Sequence, residues 1–232
     1  MYPHLRKKTT STNEHFDDDI IKYNFHIRSF KTANSKGGFL QQHYITNTIV
    51  TPDIYIDFIQ DVRLSNVNDD IYIYINSEGG MVDTGIQIIN AISESRAPVF
   101  TVLDGKASSI AANIFLAGDN QIVYDHGSVM IHNFSAGVQG KGHELLQTVT
   151  GFQQYITKLM HDYYIPFLTE EEFDRVIDGK DFWFTADEVR ERLDIINELR
   201  TRDMLAQAKQ QCLDEISSIN QQIEEIDKEL NA

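Results

Sequence analysis

Apolar and polar positions alternate over residues 44–50, Tyr-Ile-Thr-Asn-Thr-Ile-Val, and again over Ile71-Tyr72-Ile73-Tyr74-Ile75. A period of two in β-branched and aromatic residues predicts strands. Pro98 to Leu103, Ile122–Tyr124 and Ser128–Ile131 predict three more. Between them the period lengthens. Thr51 as N-cap and Pro52 at the first helical position open a helix with Ile54, Phe58 and Val62 on its buried stripe. A second helix, over about 81–93, turns Ile86, Ile89, Ala91 and Ile92 inward. A third, apolar, runs from Ser108 to Ala117 and stops at Gly118. Strand and helix in turn predict a parallel α/β sheet with crossovers. Ligand sites in such sheets lie at the carboxyl ends of strands. Gly79-Gly80 and Gly105 to Ser109 both stand where a predicted strand enters a helix.

The second half is helical. Leu145, Leu146, Val149, Phe152, Ile156 and Met160 keep helical spacing inside a segment from about Lys141 to Phe167. Thr169-Glu170-Glu171-Glu172 and Thr185-Ala186-Asp187-Glu188 are capping boxes for two more helices. Cys212, Ile216, Ile219, Ile223, Ile226 and Leu230 alternate spacings of four and three, a heptad seam that Leu205 extends and Lys209 interrupts. Residues 1–38 are polar, with a basic start and an acidic Asp17-Asp18-Asp19, which predicts a mobile or conditionally ordered arm. Three parts result: an arm over 1–40, a catalytic-type domain over 41–200, and a heptad helix over 201–232.

A formal net charge of −15 disfavours nucleic acid and anionic membranes as partners, since both need clustered cations. The single cysteine, Cys212, excludes an internal disulfide and a cysteine-based zinc site. No secretory signal is read in the polar N-terminus, and no apolar run of about 18 residues would span a membrane. A cytoplasmic protein is the expectation.

Chemistry concentrates between Ile71 and His132. A glycine turn, Asn76-Ser77-Glu78-Gly79-Gly80, is followed by Gly105-Lys106-Ala107-Ser108-Ser109-Ile110-Ala111-Ala112 and then Val129-Met130-Ile131-His132. These are the parts of a serine-nucleophile site. A serine hydroxyl needs a base, the base needs an orienting group, and the oxyanion needs N–H donors. Ser108 suits the cap of the third helix, which leaves the Ser109 hydroxyl free to face a cleft. Of eight histidines only His132 closes an apolar strand. The thirty-five acids offer no choice of orienting group by chemistry alone.

The chain resembles the ClpP family, the proteolytic subunits of ATP-dependent Clp proteases, from roughly Tyr44 to Ile196. That family reads Tyr-Ile-Asn-Ser-Pro-Gly-Gly, Gly-Gln-Ala-Ala-Ser-Met-Gly and Met-Ile-His-Gln-Pro in the same order. The resemblance implies a ClpP/crotonase-like α/β fold with a long handle helix. It makes Ser109 the nucleophile rather than Ser108, and His132 the base. Asp181 in Asp181-Phe182-Trp183-Phe184-Thr185-Ala186 becomes the orienting acid, with Asp178 as its rival. The N–H groups of Gly80 and Ile110 become the oxyanion donors. Gly137, Val138, Gln139 and Gly140 correspond to the family's substrate-pairing segment, and Tyr72 and Tyr74 to a surface where ATPase unfoldases dock. The implied activity is endopeptidase cleavage of unfolded proteins or peptides inside a double heptameric ring. The implied partner is an AAA+ unfoldase, and neither metal nor organic cofactor is needed.

Departures from the family are Glu78 for proline, Lys106 for glutamine, Ile110-Ala111 for Met-Gly, Asn133-Phe134 for Gln-Pro, Glu94 for an aromatic, and Arg192 for a helix-ending glycine. Lys106 invites a Ser–Lys dyad as an alternative. Two further readings differ in class. One is a non-catalytic or self-processing assembly protein of phage-capsid type, working through the heptad tail. The other is a crotonase-type acyl-CoA enzyme.

Overall fold

The computed structural model describes residues 26–135, 137 and 139–230, with side chains to residue 222. Its centre is a seven-stranded sheet: β1 (Ile27–Ala33), β2 (Phe39–Ile49), β3 (Asp70–Gly80), β4 (Val99–Ser108), β5 (Asn120–Val123), β6 (Ser128–Ile131) and β7 (Phe182–Thr185). The order is β1-β2-β3-β4-β6-β7, with β5 beside the first half of β4. β2 through β6 run parallel, and the outer strands β1 and β7 are antiparallel. The expected mostly parallel α/β fold is the one present.

Alternation sorts the faces of β3. Ile71, Ile73 and Ile75 are fully buried, in one core cluster with residues of α1 (Ile56–Leu64), α2 (Val82–Glu94) and α3 (Ile110–Leu116). Each such isoleucine contributes about 1.5–3 kcal/mol by leaving water. Tyr72 and Tyr74 point the other way. Tyr74 stacks on Tyr44 at 4.6 Å and Tyr72 on Phe100 at 4.8 Å, making an aromatic row across β2, β3 and β4.

Several boundaries differ from the sequence-based expectation. β1 and its turn fall within the stretch expected as an arm: Ile27–Ala33 pairs with Phe39–Ile45 as a hairpin. Residues 1–25 lie outside the described residues. Thr51 does occupy the N-cap position, but its side chain caps nothing, and a 3-10 turn over Pro52–Tyr55 precedes α1. On α2 the buried apolar side chains are Ile88, Ile89, Ala91 and Ile92, and Ile86 is only half-buried. α4 (Gly142–Tyr164) buries Ile156 and Met160 but leaves Leu146 and Val149 exposed, so only its C-terminal half packs on the body. Both capping boxes form, Thr169–Glu172 ahead of α5 (Glu170–Ile177) and Thr185–Glu188 ahead of α6.

α6 is one helix from Ala186 to Leu230. Its first turns bury Val189, Leu193 and Ile196; past a stretch to Gln207 that still flanks Ala117–Asp119, its described side chains are exposed. Arg192 clamps this root. Its guanidinium grips both Glu172 oxygens at 2.7 and 2.8 Å, donates to Phe167 O at 2.7 Å, and lies over the Phe184 ring. Leu205, Leu213, Ile216 and Ile219 are exposed along the extension. No helix among the described residues is long and apolar enough to cross a membrane.

Candidate active site

β4 turns directly into α3 at Ser109. The residue takes φ 57°, ψ −130°, a region that side chains with a Cβ rarely enter. Its backbone is tied on both sides: the N–H donates to Met130 O at 2.9 Å, and its carbonyl accepts from Ala112 N at 2.9 Å and Tyr164 Oη at 3.3 Å. Ser109 therefore occupies the N-cap position of α3, yet its hydroxyl caps nothing. Ser108, expected as the cap, is instead the last residue of β4, buried opposite Met130. A strained strand-to-helix elbow of this kind lifts a side chain out of the sheet.

Two glycines give the elbow its room. A Cβ on Gly79, at φ 91°, would lie 2.6 Å from Ser108 O and 2.8 Å from Ser109 Cβ. A Cβ on Gly85 of α2 would collide with the Ile110 side chain. The fully buried Ser77 fastens the glycine turn, donating to Asn47 O and accepting from Gly79 N at 3.0 Å. The Gly79 N–H is thereby engaged. The Ile110 N–H lies 3.3 Å from the position a Gly79 Cβ would take, so the glycine turn and the start of α3 are in contact.

His132 follows the last residue of β6 and is half-buried. It lines the same small pocket as Ser109, together with Val82, Ile110, Asn113, Phe134, Ile156 and Tyr164 among others. The β6–β7 ladder ends on the pair Ile131–Phe182. His132 and Asp181 are the residues immediately beyond that last pair. Asp178, the rival, is the C-cap of α5. The Ser109, His132 and Asp181 side chains make no hydrogen bonds to one another among the described residues. Such contacts are often long before substrate binds.

A family model for the Clp protease matches residues 50–198, which spans β3, the elbow, β6 and β7. The chain belongs to the Clp protease family. It is 32% identical over 154 residues to an ATP-dependent Clp protease proteolytic subunit of Bacteroides thetaiotaomicron, covering 64% of this chain and 66% of that protein. To the subunit of the same name from Bacteroides fragilis it is 31% identical over 154 residues, 64% of this chain and 70% of that one. To that of Chlorella vulgaris it is 38% identical over 81 residues, 34% of this chain and 40% of that one. The chain thus spans about two thirds of the first two relatives.

Other expected Clp-type positions fall as follows. Gly137, Gln139 and Gly140 are exposed and in no strand, and Val138 lies outside the described residues. Tyr72 and Tyr74 are half-buried in the aromatic row. Glu94 is exposed and pairs with Arg63 at 2.8 Å. Two departures from the Clp pattern explain each other: Lys106 Nζ sits 3.2 Å from Glu78 Oε2, across β3 and β4. The Thr48 hydroxyl donates to Glu78 Oε1 at 2.7 Å, and this bond, ahead of Lys106, holds the Glu78 carboxyl below its usual range. Lys106 is thereby engaged by a carboxylate. Sequence reasoning missed Asn113 and Tyr164. Asn113 had a signal: it is the sole polar residue of α3, one turn after Ser109. Tyr164 had none, because its contact with Ser109 O spans 55 residues of chain.

Proposed function

We propose that this chain is a serine-type endopeptidase acting by the Clp pattern. Ser109 attacks the peptide carbonyl, His132 takes the hydroxyl proton and returns it to the leaving amine, and Asp181 holds the imidazole. The N–H groups of Gly80 and Ile110 receive the oxyanion. The observation that carries this reading is the strained elbow at Ser109, opening into the pocket that His132 also lines. The exposed Glu78–Lys106 pair speaks against a Ser–Lys dyad, since the ammonium would have to leave its carboxylate.

The substrates in this reading are unfolded proteins or peptides, cleaved in the chamber of a homo-oligomer of stacked heptamers in the cytoplasm. An AAA+ unfoldase supplies ATP-driven delivery. The bare N-terminal half of α4, with Leu146 and Val149 exposed, supports its use as a handle between rings. Tyr72 and Tyr74 are the candidate docking residues. Gly137 to Gly140 is the segment that would pair with substrate main chain. One observation favours a second reading, an assembly protein: the exposed Ile216 and Ile219 on a helix that leaves the body.

A fluorophosphonate probe read by peptide mass spectrometry tests the proposal. Labelling of Ser109, retained in Ser108→Ala and lost in Ser109→Ala and His132→Ala, is expected. A folded, assembled protein that takes no label would turn the reading toward the assembly role.

A further inference from the structure

α3 is buried along its whole length, and Asn113 is its one polar side chain. Asn113 is 2% exposed and lines the pocket that holds Ser109 and His132. Its Nδ2 is buried without a hydrogen-bond partner, and its side chain makes no hydrogen bond to any described residue. The other walls are mostly apolar, from Val82, Ile110, Phe134, Ile156, Leu159 and Met160. A primary amide sealed among such side chains destabilises the fold unless something bonds to it. No described residue bonds that Nδ2, and the side chain lines the pocket beside the nucleophile.

We propose that Asn113 determines specificity by receiving the carboxamide of a glutamine on the N-terminal side of the scissile bond. The inference rests on the peptidase reading and names the substrate class of that same site. The Asn113 amide offers both a donor and an acceptor, and a substrate carboxamide satisfies both. A glutamate carboxylate would satisfy the donor alone and carry a charge into an apolar pocket. A leucine would leave the amide unpaired, which selects strongly against it. Residues one turn apart on a helix face sit roughly 5–6 Å from each other. Asn113 lies one turn along α3 from Ser109 and lines the same pocket, so the longer glutamine is favoured over asparagine. The pocket now holds about 20 Å³, near the volume of a single water. Met160, unbranched and flexible, is the wall that yields to the longer side chain.

The test uses the full chain and fluorogenic peptides that differ only in having Gln, Glu or Leu before the cleaved bond. Wild type is expected to show kcat/KM for Gln at least tenfold above Leu and Glu. Asn113→Leu is expected to reverse the Gln/Leu order, to keep fluorophosphonate labelling of Ser109, and to melt at the same or a higher temperature. If Asn113→Leu does not fold, Asn113→Ala is read for the same loss of Gln preference. Label on Ser109 with Leu cleaved as well as Gln, or a ratio unmoved by the substitution, would overturn the role of Asn113 alone. Absence of both label and cleavage would remove the peptidase reading and this inference with it.

Discussion

Ser109 is held in a conformation that a Cβ opposes, at a cost of order 1–3 kcal/mol supplied by its surroundings. Ser109→Gly and Ser109→Ala should both lose the nucleophile, but the glycine variant should be the more stable by about 1 kcal/mol in urea titration. Equal midpoints would mean the elbow is relaxed. The motif made Ser109 legible, but its strain was not, because that comes from Met130 and Tyr164 gripping the backbone from elements distant in sequence. His43 is a second buried polar group; it precedes the strand expected from Tyr44, but β2 begins at Phe39 and takes it into the sheet. Burial, reinforced by Lys31, lowers its pKa from 6.5 to about 4, and its Nδ1 pairs with Ser29 Oγ. The ring is therefore neutral in the fold, whereas the unfolded chain protonates below about pH 6.5. Stability is full above that value and falls as pH drops toward 4, by roughly 3 kcal/mol. His43→Gln should flatten this part of the pH dependence of the urea midpoint. An unchanged slope would assign the acid sensitivity elsewhere.

The site is assembled at the level of elements by close approach. α2 meets α3 at Gly85, where a methyl group would push Ile110 and with it the turn that carries Ser109. Gly85→Ala is expected to slow labelling of Ser109 by one to two orders of magnitude while raising helix propensity; labelling at the wild-type rate would show that α3 has slack. Lys106→Ala removes an ion pair whose partners are both about half exposed, worth roughly 0.2–1 kcal/mol. Labelling within twofold of wild type is expected, and a complete loss would revive the Ser–Lys alternative. The inner strands and their parallel order were legible because the alternation of Ile71 to Ile75 is unambiguous; the antiparallel outer strands β1 and β7 were not. The joining of the helix that starts after Thr185 to the heptad helix was not, and Arg192 stands in that stretch. Where the family carries a helix-stopping glycine, this chain has a side chain bonded to Glu172 and Phe167, and the helix continues.

For the whole molecule the decisive division is between a body built around the sheet and a helix that leaves it. The heptad pattern of the tail was readable from sequence, and the exposure of Ile216 and Ile219 agrees with a seam awaiting a partner. What covers it is not written in the chain's own contacts. Deleting residues 201–232 removes no core residue among those whose side chains are described. The shortened protein should melt within a few degrees of wild type and keep Ser109 labelling, while its sedimentation or light-scattering mass reports any assembly the tail supports. A large drop in melting temperature would mean that the tail folds back on the body.

The root of that tail has a mechanical meaning. Asp181 stands one residue ahead of β7, and β7 passes into α6 at Ala186 without a loop. From Ala186 to Leu230 there is neither glycine nor proline, and the part beyond Ile196 reaches about 50 Å. A helix of this kind behaves as a stiff rod rooted directly after β7. Its root is fixed to the body by Arg192 and by the buried Val189, Leu193 and Ile196, so whatever grips the far end is held at a set distance and direction from the sheet.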